Sequence, residues 1–224
     1  SYNKPSLRES IIQYTKLIEN MTDNDTTIEE RIELIHIIGN NDNNLQSAKM
    51  LIDNFRHIQW HTLYDFWKEL GEALQKQGYK IFQSVQNEKI DLLVHGGPKQ
   101  RKIDLDMIII TNRELPIHIN AEYEDWLFWG IYEDKDKAKI PEIYKEAIKE
   151  LTDRNDKYQK EGNWICWKYL SCNEDENIVC SDFSEEGTFK LISPKHRSKI
   201  VENIISEINQ FVMELKNIAS KSNL

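Results

Sequence analysis

Between Ile103 and Tyr132 the chain alternates. Ile103, Leu105, Met107 and Ile109 fall on one side of an extended segment, and Asp104 and Asp106 fall on the other. Leu115, Ile117, Ile119, Ala121 and Tyr123 repeat the pattern against His118, Asn120 and Glu122. A period of two is what a half-buried strand imposes, because successive side chains leave a pleated backbone on opposite sides. Thr111–Glu114 then reads as a four-residue hairpin loop, with Asn112 as the turn former. Pro116 has no N–H to give a ladder, so it belongs at a strand end or edge. Glu124-Asp125 turns the chain again into Trp126–Tyr132, a run apolar on both sides that other elements must cover.

Outside this stretch the period is mostly that of a helix. Ser6-Leu7-Arg8-Glu9 is a capping box, followed by an apolar stripe of Ile11, Tyr14, Leu17 and Ile18. A second helix is expected from Thr27, with Ile28, Ile32, Leu34, Ile35 and Ile38 on its stripe and Gly39 as a left-handed stop. A third runs from Leu45 to about Gln77 with a break near residues 56–59, closed by Gly78. Tyr79–Phe82 and Ile90–Val94 read as strands, and Lys99-Gln100-Arg101-Lys102 as a basic loop. Pro141 suits the first turn of a helix reaching about Lys160 and ended by Gly162. Asn163–Leu170 reads as a strand, with Ile178–Cys180 as its candidate partner. Ser193-Pro194 opens a last helix whose stripe is Ile200, Val201, Ile204, Ile205, Ile208, Phe211, Val212 and Leu215. The sum is an α+β fold. N-terminal helical hairpins occupy 1–78. A central antiparallel sheet with C-terminal helices packed on it occupies 79–224.

Composition narrows the class. At 224 residues, with 39% hydrophobic and 30% charged residues, the chain can bury a substantial core. No apolar run approaches the ~20 residues that span a bilayer, so a cytoplasmic protein without membrane attachment is expected. The Ile, Asn and Lys content suggests an AT-rich, bacterial genome. Cys166, Cys172 and Cys180 match no zinc or disulfide spacing and read as reduced thiols, with Cys166 in the core. The net charge of −9 argues against a field that attracts phosphates globally, though a local basic patch on an acidic body can still do so.

Three groups of residues carry candidate chemistry. Asp104, Asp106 and Glu122 are strand carboxylates that could gather a magnesium ion and activate water. The competing meaning is a solvated acidic side of a half-buried sheet. Lys99, Arg101, Lys102, Lys195, Arg197 and Lys199 could meet phosphates if their two loops share one end of the sheet; solvated charge is the commoner meaning. Trp126, Trp129, Trp164 and Trp167 could line a pocket or stack on bases, against a default of core packing. Trp164 and Trp167, three apart in a strand, are expected to face opposite ways. His57 and His61, four apart on a helix, share a face but have no obvious third ligand.

The order of segments resembles a known family. Leu7–Tyr14, Phe66-Trp67-Lys68-Glu69-Leu70, Ile117–Tyr123 before a Trp-rich strand ending in Gly130-Ile131, and Asn163–Tyr169 before a final amphipathic helix carry the likeness. Together they look like the C-terminal half of a family of bacterial proteins in the PD-(D/E)XK nuclease superfamily. That superfamily needs an Asp on one strand and an acidic residue two positions before a Lys on the next. Here Glu122-Tyr123-Glu124 stands without the Lys. The resemblance therefore implies no catalytic residue and no cofactor in this chain, with magnesium expected only in an attached nuclease core. It implies an accessory domain that positions nucleic acid or a protein partner, with a link to phage defence by analogy. Two alternatives stand beside it: a non-enzymatic ligand-sensing or protein-interaction domain, and a divergent metal-dependent nuclease using Asp104, Asp106 and Glu122.

Overall fold

The computed structural model describes residues 28–40, 42–111, 115–133, 140–170 and 178–221. The expected first helix, the hairpin residues 112–114 and Cys172 lie outside them. The chain divides into two compact units, residues 1–58 and 59–224. The division falls within the third helix, not after it at residue 78. Its C-terminal half carries Leu63, Phe66, Trp67, Leu70 and Leu74, all buried.

In the first unit, helix α1 spans Ile28–Gly39, and helix α2, Asp42–Lys76, begins. Asn44 Nδ2 donates to the Ile37 carbonyl at 2.8 Å and ties the two together. Gly39 ends α1 without adopting a positive φ, so the expected left-handed stop does not form there. Both apolar stripes are only partly covered: Ile32, Ile35, Leu45, Met50 and Ile52 are exposed. Helix α2 is continuous through residues 56–59, where a break was expected. The polar run Arg56-His57-Ile58-Gln59 holds no Pro or Gly, so nothing interrupts its ladder.

The second unit contains a six-stranded sheet in the order β1-β2-β3-β4-β6-β5. The strands are β1 (Lys80–Gln83), β2 (Leu105–Ile110), β3 (Pro116–Ala121), β4 (Phe128–Tyr132), β5 (Gln159–Glu161) and β6 (Trp164–Tyr169). Every neighbouring pair is antiparallel. Helix α3 (Asn87–His95) joins β1 to β2, α4 (Glu142–Arg154) joins β4 to β5, and α5 (Glu186–Lys190) and α6 (Pro194–Lys221) follow the sheet. The α+β class, the antiparallel sheet and the C-terminal helices are as the periodicity requires.

Three expectations are corrected. Ile90–Val94 is helical, not a strand: Ile90, Leu93 and Val94 are buried at helical spacing while Asp91 and Leu92 face out. A short apolar run does not distinguish the two periods. Helix α4 stops at Arg154, and Gly162, at φ +58°, makes the β5–β6 turn instead of ending a helix. Ile178–Cys180 forms no strand; the Ile178 carbonyl accepts from Leu127 N at 2.8 Å, and Val179 exchanges two hydrogen bonds with the Thr188 hydroxyl, each 2.9 Å. Pro116 sits at the first position of β3, where its missing N–H does least harm.

The two sides of the sheet differ in kind. Leu105, Met107, Ile109, Ile117, Ile119, Ala121, Trp129, Ile131 and Cys166 share one side by register, and all are buried. A Cβ on Gly71 of α2 would meet the Met107 methyl at 3.4 Å, so α2 crosses β2 there. Phe211 of α6 packs against Trp129 with ring centroids 4.7 Å apart. Trp129 Nε1 donates to Glu207 at 2.7 Å, and Lys168 pairs with the same carboxylate at 2.9 Å. That arrangement satisfies the polar atoms that β4, β6 and α6 bring into a largely apolar layer. Burial also pushes the Cys166 thiol up to about 12, so it stays protonated and inert.

Gly130 lies at the centre of the other side. A Cβ there would stand 2.6 Å from the Cys166 carbonyl oxygen, 2.6 Å from Trp167 Cβ and 2.9 Å from the Trp164 ring. A backbone oxygen cannot step aside as a flexible side chain can. Gly130→Ala is expected to lower unfolding stability by about 1–3 kcal/mol, the usual cost of overpacking. Urea denaturation followed by fluorescence reads this directly, and an unchanged midpoint would contradict the packing described.

Candidate functional site: an aromatic sheet face

The side of the sheet opposite α2 and α6 is built from residues of all six strands. Register places Gln83 beside Ile108, Ile108 beside His118, His118 beside Gly130, and Gly130 beside Trp167. Asp106, Asn120, Phe128 and Tyr169 form a second row, with Tyr132, Trp164 and Glu161 at the other end of β4. The rings touch edge to face. Phe128 meets Trp164 at 5.4 Å and Trp167 at 5.5 Å, Trp167 meets Tyr169 at 5.2 Å, and Trp126 meets Tyr169 at 5.0 Å. Such contacts each add roughly 0.5–1.5 kcal/mol beyond area burial.

Trp164 and Trp167 therefore face the same way, against the expectation from their spacing. The cause is a β-bulge. Ile131 pairs with Cys166 but Tyr132 pairs with Trp164, so Ile165 is one residue too many on β6. The β5 ladder shows the same slip, with Gln159 on Trp167 and Glu161 on Trp164. One inserted residue inverts the parity of everything before it.

Of the four tryptophans singled out from sequence, Trp126, Trp164 and Trp167 belong to this face. Trp126 is 44% exposed, and Trp164 and Trp167 are half-buried. Trp129 has no exposed surface and belongs to the helix-covered side.

A polar group sits among the rings. His118 Nδ1 lies 3.4 Å from Asp106 Oδ1, and the His118 ring meets Tyr132 and Trp164 at 5.8 and 5.7 Å. Gln83 Nε2 donates to Asp106 Oδ2 at 3.4 Å. The His118–Asp106 separation is an ion-pair distance, longer than a charged hydrogen bond, so Asp106 Oδ1 has no hydrogen-bond donor. Asn120 Oδ1 and Trp167 Nε1 are buried without a partner as well. An acid–imidazole pair can hold or move a proton. The strand neighbours of His118, Ile108 and Gly130, supply no nucleophile.

Asp106 lies on this side by register; Asp104 and Glu122 stand just outside the ladder, one residue before β2 and one after β3. Asp104 Oδ1 accepts from Tyr123 N at 3.4 Å. Among the described residues, no three His, Cys, Asp or Glu side chains converge closely enough to hold a metal ion. His57 and His61 are both exposed on α2. Glu122 is raised above the usual carboxylate value, first by burial and then by the charges of Asp104, Asp125 and Glu161.

The basic residues divide. Arg197 is occupied structurally: it pairs with Glu69 at 2.9 Å and Asp65 at 3.5 Å and donates to the Leu191 carbonyl. Arg101 donates to the Gly96 carbonyl at 2.7 Å. Lys102 stands 5.8 Å from the Tyr123 ring centroid. Lys99, Lys195 and Lys199 are exposed.

His118 is not among the candidates that the sequence points to, although the alternation sets it beside Asn120 and Glu122. Strand register, which a single sequence does not supply, joins it with Phe128, Tyr132 and Tyr169 to Trp164 and Trp167. No family model, curated protein or solved structure matches this chain. Among the described residues no helix is long and apolar enough to cross a membrane.

The raised Glu122 carries a signed consequence. A carboxyl whose folded value lies above its unfolded one binds its proton more tightly when folded. Its favourable contribution is complete below the ordinary value of 4.5 and is lost as pH rises through the raised value. Glu122→Gln, which never ionises, is therefore expected to melt higher than the native chain at pH 7, with the difference closing below pH 4.5. Thermal melts at the two pH values test this, and a variant that melts lower at pH 7 contradicts it.

Proposed function

We propose that this chain is a non-catalytic positioning module, and that the aromatic sheet face is where it holds a segment of a partner protein. The observation that carries this reading is the sidedness of the sheet. Helices α2 and α6 cover one side, while Trp126, Trp164, Trp167 and Tyr169 assemble around a buried Phe128 on the other, Trp126 being 44% exposed and the other three half-buried. Rigid aromatic side chains give large contact area at low entropic cost, which is why they dominate binding hot spots. The resemblance to the C-terminal half of PD-(D/E)XK proteins supports the same division of labour, with cutting assigned to a separate magnesium-dependent core. Among the described residues, the position two after Glu122 is Glu124, not the lysine that superfamily uses.

A second reading, nucleic-acid positioning, is favoured by one arrangement. Lys102 lies over Tyr123, whose hydroxyl also feels the charge of Arg101, so the basic loop borders the end of β3. Phosphate contacts there would set register on a strand without reading sequence.

An array of random-sequence peptides separates these readings when probed with the native chain and two variants. Trp126→Ala is expected to lose binding at least tenfold. Met213→Ala, on the exposed side of α6, is expected to retain it. Equal binding by all three would contradict the assigned face. Salt-sensitive oligonucleotide binding lost in Lys99→Glu/Lys102→Glu would favour the second reading. Magnesium-dependent cleavage abolished by Asp106→Asn would replace both with a divergent nuclease.

A further inference from the structure

The charges of the sheet are sorted by side. On β5 and β6 the cations point to the helices: Lys168 pairs with Glu207 of α6, and Lys160 with Asp153 of α4 at 3.2 Å. Carboxylates border the ring side instead. Asp125 accepts from the Tyr169 hydroxyl at 3.3 Å, and its N–H donates to the Glu122 carbonyl at 3.3 Å, so both belong to the turn that follows β3. Glu161 sits beside Trp164 by register, at the other end of β6. Burial and then the charges of Asp125, Glu122 and Glu161 raise the Tyr169 hydroxyl. None of the three takes part in an ion pair among the described residues. Among the described residues, Lys102 and Arg101 border the Tyr123 end, His118 sits within the face beside Asp106, and Lys80 lies at the far end beside Ile110.

Accepting the aromatic face as the docking surface, we infer that its occupant is a basic segment of a partner protein, with an Arg or Lys side chain laid over Trp126 and Tyr169 beside the Glu122–Asp125 turn, and a further cation of the segment meeting Glu161 at the Trp164 end. Two features make this the complementary chemistry. Ring faces carry negative quadrupole potential and attract guanidinium and ammonium groups, more strongly when these are partly desolvated. Carboxylates left without counter-charges beside those rings accept the same groups through charge-assisted hydrogen bonds, bidentate ones for Arg. A neutral or acidic segment would leave the carboxylates uncompensated or repelled. The net charge of −9 extends the same preference over the approach path. A nucleic-acid strand would bring its phosphates against this rim.

Calorimetric titration of the full chain with three decapeptides tests the inference: alternating Arg-Ser, alternating Gln-Ser and alternating Glu-Ser, each at low and at physiological salt. The Arg-Ser peptide is expected to bind at least tenfold more tightly than the Gln-Ser peptide and to weaken as salt rises. The Glu-Ser peptide is expected not to bind. The triple variant Glu122→Gln/Asp125→Asn/Glu161→Gln should lose the Arg-Ser preference, and Trp126→Ala should weaken the Arg-Ser peptide with circular dichroism unchanged. Equal binding of Gln-Ser and Arg-Ser, both weakened by Trp126→Ala, would overturn the basic occupant while leaving the docking face intact. Arg-Ser binding unchanged in the triple variant would also overturn it. Tighter binding of oligothymidylate than of the Arg-Ser peptide, or a Trp126-dependent dimer in sedimentation, would replace the occupant. No binding of any of the three peptides would overturn the inference, and the array measurement judges the face separately.

Discussion

A single surplus residue on β6 decides what this protein can present. With Ile165 bulged out between Cys166 and Trp164, the strand keeps Cys166 and Lys168 against the helices and swings Trp164 round to join Trp167. Without the bulge, Trp164 would be driven toward the α6 side and the aromatic cluster would lose its link to His118 and Tyr132. Gly130 is the matching feature on β4: its missing side chain leaves the space taken by the Trp164 ring and the Trp167 Cβ. Bulges that re-aim side chains commonly occur where a sheet does something other than pack.

The sheet then works as a partition. One side is conventional core, closed by α2 and α6, with Lys168, Glu207 and Trp129 Nε1 answering one another. The other side combines buried and half-buried rings, a His118–Asp106 pair and a carboxylate rim. Among the described residues, the buried side-chain atoms without a hydrogen-bond partner are Asp106 Oδ1, Asn120 Oδ1 and Trp167 Nε1 on this second side and Trp67 Nε1 on α2. Unsatisfied buried groups cost stability.

Much of this was legible beforehand, for identifiable reasons. The α6 stripe from Ile200 to Leu215 was read correctly because eight apolar positions at helical spacing leave little ambiguity, and each of them is buried. The β2–β3 pairing followed from alternation over six residues in each strand. Ile90–Val94 reads as a strand from sequence because five residues do not fix a period. Gly162 reads as a helix stop because the same left-handed glycine also serves hairpins. The functional side is only half legible. Asp106 can be assigned its side from parity alone. The Trp164–Trp167 partnership cannot, because a bulge breaks parity and nothing in the local sequence marks it. The isolation of Trp129 from the other three tryptophans has the same origin: its place depends on where α6 packs.

The account stands on which indoles solvent can reach. Fluorine NMR of the chain labelled with 5-fluorotryptophan, with a soluble gadolinium chelate as relaxation agent, measures this ring by ring. The account predicts strong broadening for Trp126, intermediate and similar broadening for Trp164 and Trp167, and none for Trp129. A silent Trp164 beside a broadened Trp167, or a broadened Trp129, would mean that the bulge and the face built on it are wrong.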